Sequence, residues 1–98
     1  MNFIEITIAE FKAKKDAKNL FLIDVREEYE FEEFNLGGIN IPLSEVLSRT
    51  SEFENQREVF ICCSSGKRSK TAAYHLADKL KNITFYSLQG GVKEYLTQ

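Results

Sequence analysis

Residues 59–69 of this 98-residue chain read VFICCSSGKRS, and no other stretch restricts its fold so tightly. From Val59 to Cys63 every residue is apolar or small, the pattern of a strand buried on both faces. Ser64, Ser65, Gly66 and Lys67 cannot continue that strand. From Arg68 onward, Ala72, Ala73, Leu76, Ala77 and Leu80 recur at helical spacing. A buried strand therefore runs through a tight polar loop directly into a helix.

The same alternation holds elsewhere. Residues 2–6 form a short first strand, and Thr7 with Glu10 makes a capping box for a helix reaching about Lys15. Its apolar positions Ile8, Phe11 and Ala13 are sparse enough for a surface helix. Residues 20–25 (LFLIDV) are a second buried strand, and residues 27–34 (EEYEFEEF) a short acidic helix. A turn at 35–38 (NLGG) leads to a brief third strand, 39–41, stopped by Pro42. Ser44 is expected to cap a short helix ending near Ser48, and residues 50–58 read as a polar connection. A strand at 59–63 and a helix over 69–81 follow, then a last strand at 83–87. Gly90-Gly91 turns the chain into a terminal helical stretch ending at Leu96. Strands alternating with helices predict an α/β fold with a mainly parallel sheet covered on both faces, in a single domain, residues 1–98.

Composition narrows the function. A formal net charge of −2 argues against nucleic acid as the main partner, since phosphate binding needs a basic surplus. No apolar run approaches the ~18–20 residues that cross a bilayer, so no membrane partner is expected. The amino terminus lacks a basic region followed by an apolar core, so no secretory signal is expected either. Cys62 and Cys63 are adjacent, which makes a poor disulfide framework, and a reducing cytoplasm is the expected compartment. One histidine, His75, and no second cysteine pair leave a zinc site without enough ligands. The cluster Glu27, Glu28, Glu30, Glu32 and Glu33 reads as a solvated helix face and not a metal site.

The loop after the strand carries the chemistry. A cysteine at the carboxyl end of a buried strand, facing the start of a helix, sits where open α/β sheets place their sites. Aligned backbone amides at a helix start favour thiolate over thiol, and Lys67 and Arg68 add fixed positive charge. An isolated cysteine at a strand end would read as a small core hydrophobe; the glycine loop, the cations and the helix start turn the reading to a nucleophile. Gly66 lies where the backbone must curl and expose its amides. The Arg68 fork suits an oxyanion. Ser64, Ser65 and Ser69 can donate to a bound anion, although Ser69 is equally suited to cap its helix. Lys67 tunes charge toward anionic donors or is simply solvated. His75 lies mid-helix without an acidic or cysteine neighbour and is not read as a base. Asp24 and Arg26 are expected to give structural support by pairing near the site.

Three separated segments resemble the rhodanese-homology family. LIDVREEYEF (22–31) resembles its leucine-aspartate-valine-arginine segment and following acidic helix. CSSGKRS (63–69) resembles its catalytic loop of cysteine, two residues, glycine, one residue, arginine and serine. LQGGVKEY (88–95) resembles its closing glycine-glycine segment. One stretch departs: where the family often has glycine-histidine-isoleucine-proline-glycine-alanine, residues 33–38 read EFNLGG, and only Asn40-Ile41-Pro42 is kept.

The resemblance also separates the two cysteines. Five residues lie between Cys62 and Arg68, the spacing of cysteine-dependent phosphatases; four lie between Cys63 and Arg68, the spacing of the sulfurtransferases. In both families a glycine stands three after the nucleophile, and that is Gly66 counted from Cys63. Strand alternation points the two side chains apart, so Cys62 is assigned to the core. The resemblance implies a rhodanese-like three-layer α/β/α domain with about five strands, and a sulfurtransferase of the thiosulfate sulfurtransferase class. Cys63 and Arg68 are then catalytic, and Ser64, Ser65, Gly66, Lys67 and Ser69 bind substrate. Cys63 would take sulfane sulfur from thiosulfate or a persulfide, hold it as a persulfide cradled by the loop amides, and pass it to a thiol or cyanide. No metal or organic cofactor is implied. A monomer serving small molecules or a sulfur-accepting protein is expected. The competing readings are a persulfide carrier in a sulfur relay, a non-catalytic interaction module, and a phosphatase or arsenate reductase on the same fold.

Overall fold

The computed structural model describes residues 2–97. Five strands, β1 (Ile4–Ile6), β2 (Leu22–Asp24), β3 (Ile39–Asn40), β4 (Glu58–Cys62) and β5 (Thr84–Leu88), form one sheet in the order β1-β5-β4-β2-β3. Every pairing is parallel, with Leu22 opposite Phe60, Asp24 opposite Cys62 and Phe60 opposite Tyr86. Parallel neighbours need crossovers that cover both faces of the sheet. The helices of the chain are α1 (Ile8–Ala17), α2 (Glu28–Glu33), α3 (Leu43–Val46), α4 (Lys67–Lys79) and α5 (Gly91–Leu96), of which α2 buries none of its residues.

Two apolar clusters, one on each face, fix the layers. On one face Val46, Ala72, Ala73 and Leu76 from α3 and α4 pack with Ile23, Ile61, Cys63 and Phe85. On the other, Ile8 and Phe11 of α1 and Val92 of α5 pack with Leu22, Phe60, Cys62 and Tyr86. Phe60 and Tyr86 stack with ring centroids 4.3 Å apart on adjacent central strands. Cys62 and Cys63 thus fall on opposite sides of the sheet.

Some boundaries differ from the sequence reading. α4 begins at Lys67 with Gly66 as its N-cap, so Ser69 does not cap it but lies buried in its first turn. The Gly66 backbone, at φ 101°, makes the sharp entry that allows this earlier start. α3 starts after Pro42, not at Ser44, because proline is pre-set for the turn into a helix; Ser44 is exposed. The connection over 50–58 is not wholly polar in role. It holds a 3₁₀ turn, Thr50–Glu52, and the fully buried Phe53, whose ring meets Phe85 edge-on at 6.4 Å. The capping box of α1 forms as expected, Glu10 N–H donating to Thr7 Oγ1 at 3.1 Å and Thr7 N–H to Glu10 Oε1 at 2.8 Å.

Chain direction creates the site. After β2 the chain moves outward to β3, and after β4 it moves the other way to β5. The loops leaving these two adjacent strands diverge, the switch point at which open α/β sheets place their sites.

Candidate active site

Cys63 is the first residue after β4 and is fully buried. Its Sγ accepts the backbone N–H of Gly66 at 3.0 Å and of Ser69 at 3.3 Å. Both amides belong to the first turn of α4, whose N–H groups have no partner within the helix. They aim partial positive charge at the sulfur. Gly66 cannot be replaced without strain: its φ is positive, and a Cβ would stand 3.2 Å from Gly90 N.

The floor of the loop comes from the glycine pair at the start of α5. Val92 N–H donates to Cys63 O at 2.8 Å and Lys93 N–H to Ser64 O at 3.0 Å. A Cβ on Gly91 would lie only 2.3 Å from Cys63 O, so the close approach requires glycine there.

A pair of buried hydroxyls backs the sulfur. Ser69 Oγ lies 3.6 Å from Cys63 Sγ, donates to Gly66 O at 3.1 Å, and shares a 2.8 Å hydrogen bond with Ser87 Oγ of β5. Gly66 O also accepts Lys70 N–H at 3.2 Å, so the Ser69 hydroxyl can swing toward the sulfur without orphaning that carbonyl.

The other expected residues divide. Ser64 is half-buried and Ser65 exposed on the loop, and Lys67 is exposed at the start of α4. Asp24 and Arg26 form a buried pair: Arg26 Nη2 donates to Asp24 Oδ2 at 2.8 Å and Nε to Oδ1 at 3.0 Å. Hydrogen bonding to Asp24 raises the Arg26 pKa against the opposing pull of burial. Arg26 Nη2 also donates to Phe34 O at 2.6 Å, tying the β2 loop to the end of α2. Arg68 does not stand free. Its Nη1 and Nη2 donate to Glu30 Oε1 and Oε2 at 2.9 and 3.1 Å.

The sequence reading missed four residues of this site. Glu30 was grouped with a solvated helix face; the structure corrects this, because Glu30 is half-buried and caught by Arg68, while Glu27, Glu28, Glu32 and Glu33 are exposed. The hydrogen bond from Arg68 pulls its carboxyl down to about 2. Ser87, Asn40 and Gly91 were also missed. Asn40 Nδ2 donates to Asp24 O at 3.0 Å and Arg26 O at 2.9 Å, which fixes the β2 loop. A polar residue inside the otherwise apolar FYSL run was the available signal for Ser87. Glu30 had none, since its partner lies 38 residues away.

Cys62 faces the other side of the sheet, and burial pushes its thiol well above the ordinary value. His75 is exposed on α4 with its ring against Tyr74 at 5.2 Å. Among the described residues no group of three or more His, Cys, Asp or Glu could hold a metal ion, and no helix is long and apolar enough to cross a membrane.

A protein-family model described as Rhodanese-like domain matches residues 7–98. The chain belongs to the rhodanese-like domain family. Among curated proteins it is 42% identical over 71 residues to the "Putative sulfur carrier protein YrkF" of Bacillus subtilis, covering 70% of this chain and 38% of that one. It is 31% identical over 101 residues to the "Adenylyltransferase and sulfurtransferase MOCS3" of Drosophila virilis, covering 95% of this chain and 22% of that protein. The rhodanese-like chain therefore spans well under half the length of either. Among solved structures, a rhodanese-related protein from Thermoplasma volcanium superposes with a TM-score of 0.81 at 26% identity, covering 97% of this chain and 92% of the other. The CoADR-RHD protein of Bacillus anthracis gives 0.85 at 30% identity, over 98% of this chain and 17% of the other. The five-stranded parallel sheet is the rhodanese-like α/β fold.

Proposed function

We propose that this chain transfers sulfane sulfur through a persulfide on Cys63. The observation that carries the reading is the convergence of the Gly66 and Ser69 amides on Cys63 Sγ at the start of α4. Such a cradle stabilises a thiolate and, once loaded, the anionic outer sulfur of a persulfide. The similarity to a putative sulfur carrier protein and to an adenylyltransferase and sulfurtransferase supports sulfur as the cargo.

In the first step the Cys63 thiolate attacks the outer sulfur of a donor, thiosulfate or a persulfide. The donor's S–S bond breaks, its electron pair leaves on sulfite or on the donor thiolate, and a new S–S bond forms on Cys63. In the second step cyanide or a thiol attacks that outer sulfur, and the Cys63 thiolate leaves. Ping-pong kinetics follow from the covalent intermediate. Ser64, Ser65 and Lys67 follow Cys63 at the surface and contact the donor, and Ser69 supplies a hydroxyl beside the sulfur. A carrier that hands the sulfur to a protein partner is the second reading, favoured by the YrkF relative.

Intact mass after incubation with thiosulfate or glutathione persulfide tests the proposal. A gain of ~32 Da, removed by reductant, is expected for the wild type and for Cys62→Ser, and none for Cys63→Ser. Loading lost in Cys62→Ser but kept in Cys63→Ser would overturn the choice of sulfur. Rapid discharge to cyanide favours the transferase; loading without discharge to small acceptors favours the carrier.

A further inference from the structure

Three cations, Lys67, Arg68 and Lys70, follow Gly66 within four residues. Both terminal nitrogens of Arg68 are bound by Glu30, at 2.9 and 3.1 Å. Lys70 Nζ lies 4.0 Å from Glu5 Oε2. Lys67 remains as an exposed cation at the first position of α4. Glu30 is itself held in place, because its Oε1 also accepts Glu27 N–H at 2.9 Å in the capping box of α2. A carboxylate is thereby fixed against the Arg68 fork, as Asp24 is against that of Arg26.

A fork binds a carboxylate or a sulfur oxyanion with the same geometry, but not both at once. A doubly charged donor such as thiosulfate must displace Glu30 or approach with that carboxylate still in place, and it feels twice the repulsion that a single charge does. A thiol-borne persulfide carries at most one charge at its reacting sulfurs and needs no fork. We propose that Glu30 is a specificity-determining residue which, by occupying Arg68, disfavours dianionic donors and selects persulfides carried on thiols. Glu30 acts through Arg68 and is a positioning residue. The inference rests on the sulfur-transfer reading of Cys63 and narrows its donor class.

Glu30→Gln tests it, since the amide oxygen keeps the Glu27 cap while the charge is removed. Initial rates with thiosulfate and with glutathione persulfide are compared between wild type and variant. The ratio of kcat/KM for thiosulfate to kcat/KM for glutathione persulfide is expected to rise at least about tenfold, carried by KM for thiosulfate. As a second measurement without turnover, sulfate is used to protect Cys63 from iodoacetamide, with the labelled peptide read by mass. Half-protection should need about tenfold less sulfate in the variant. An unchanged ratio and unchanged sulfate protection, in proteins that still load ~32 Da on Cys63, would overturn the role of Glu30 alone. A wild type that loads sulfur from neither donor would overturn the sulfur-transfer reading and this inference with it.

Discussion

At Gly91 the helix α5 comes so close to the Cys63 loop that a single methyl group decides whether the loop can form. Gly91→Ala would place a carbon 2.3 Å from Cys63 O and 2.6 Å from Ser64 O, on a backbone with φ +64°. Neither backbone oxygen can retreat without losing its hydrogen bond from Val92 or Lys93. The expected outcome is a loss of about 2–4 kcal/mol in a denaturant titration, together with impaired sulfur loading. Ser87→Ala is milder. It removes the 2.8 Å partner of Ser69 without opening a large cavity, so about 1 kcal/mol is expected. Loading of Cys63 should slow while its final extent is kept, which a time course by intact mass would show. The proposed choice of Cys63 rests at this scale on Gly66, three residues on, and the structure puts the Gly66 amide on the Cys63 sulfur. The hydroxyl backing of that sulfur was not legible in the sequence, because Ser69 and Ser87 meet only when β5 lies beside β4.

Elements with a clean period were readable: the β4 strand, the β5 strand and the α1 capping box all stand within a residue or two of their expected places. The misreadings came where a short segment lacks a period of its own. The 3₁₀ turn over Thr50–Glu52 exists to bring Phe53 under α3 and β5, and its polar neighbours hide that role. Phe53→Ala removes a fully buried ring from the larger cluster and should destabilise by about 3–5 kcal/mol, measured by urea unfolding. α4 starts at Lys67, two residues before the 69–81 that the apolar spacing predicts, which leaves Ser69 inside the helix instead of at the cap position that serine prefers. The left-handed Gly66 overrides that preference and draws Lys67, Arg68 and Ser69 into the helix. That shift moves the Ser69 amide onto the sulfur.

For the whole molecule, acid stability follows its ion pairs. Glu30 has a folded pKa of about 2, below its ordinary value of 4.5, first because Arg68 hydrogen-bonds it. Glu58 is also lowered, by its hydrogen bonds from Lys18 and Tyr86. A carboxyl depressed in the folded state contributes its full stabilisation above the unfolded pKa and loses it as pH falls through the folded one. Thermal midpoints should therefore drop between about pH 4.5 and pH 2, and Glu30→Gln should flatten part of that drop. A variant as steep as the wild type would show that Glu30 contributes nothing to acid stability. The alternation of apolar strands with helical spacing determined, by itself, a parallel sheet covered on both faces, since such strands must be buried twice. The local order of Cys63 and Gly66 likewise placed that thiol at the end of β4, before the turn into a helix. Only the tertiary structure decided what surrounds it: Glu30 on Arg68, Ser87 on Ser69, and Gly91 beneath the loop. Each of these contacts joins residues distant in sequence, and its partner is set by strand order and crossover, which no local pattern encodes.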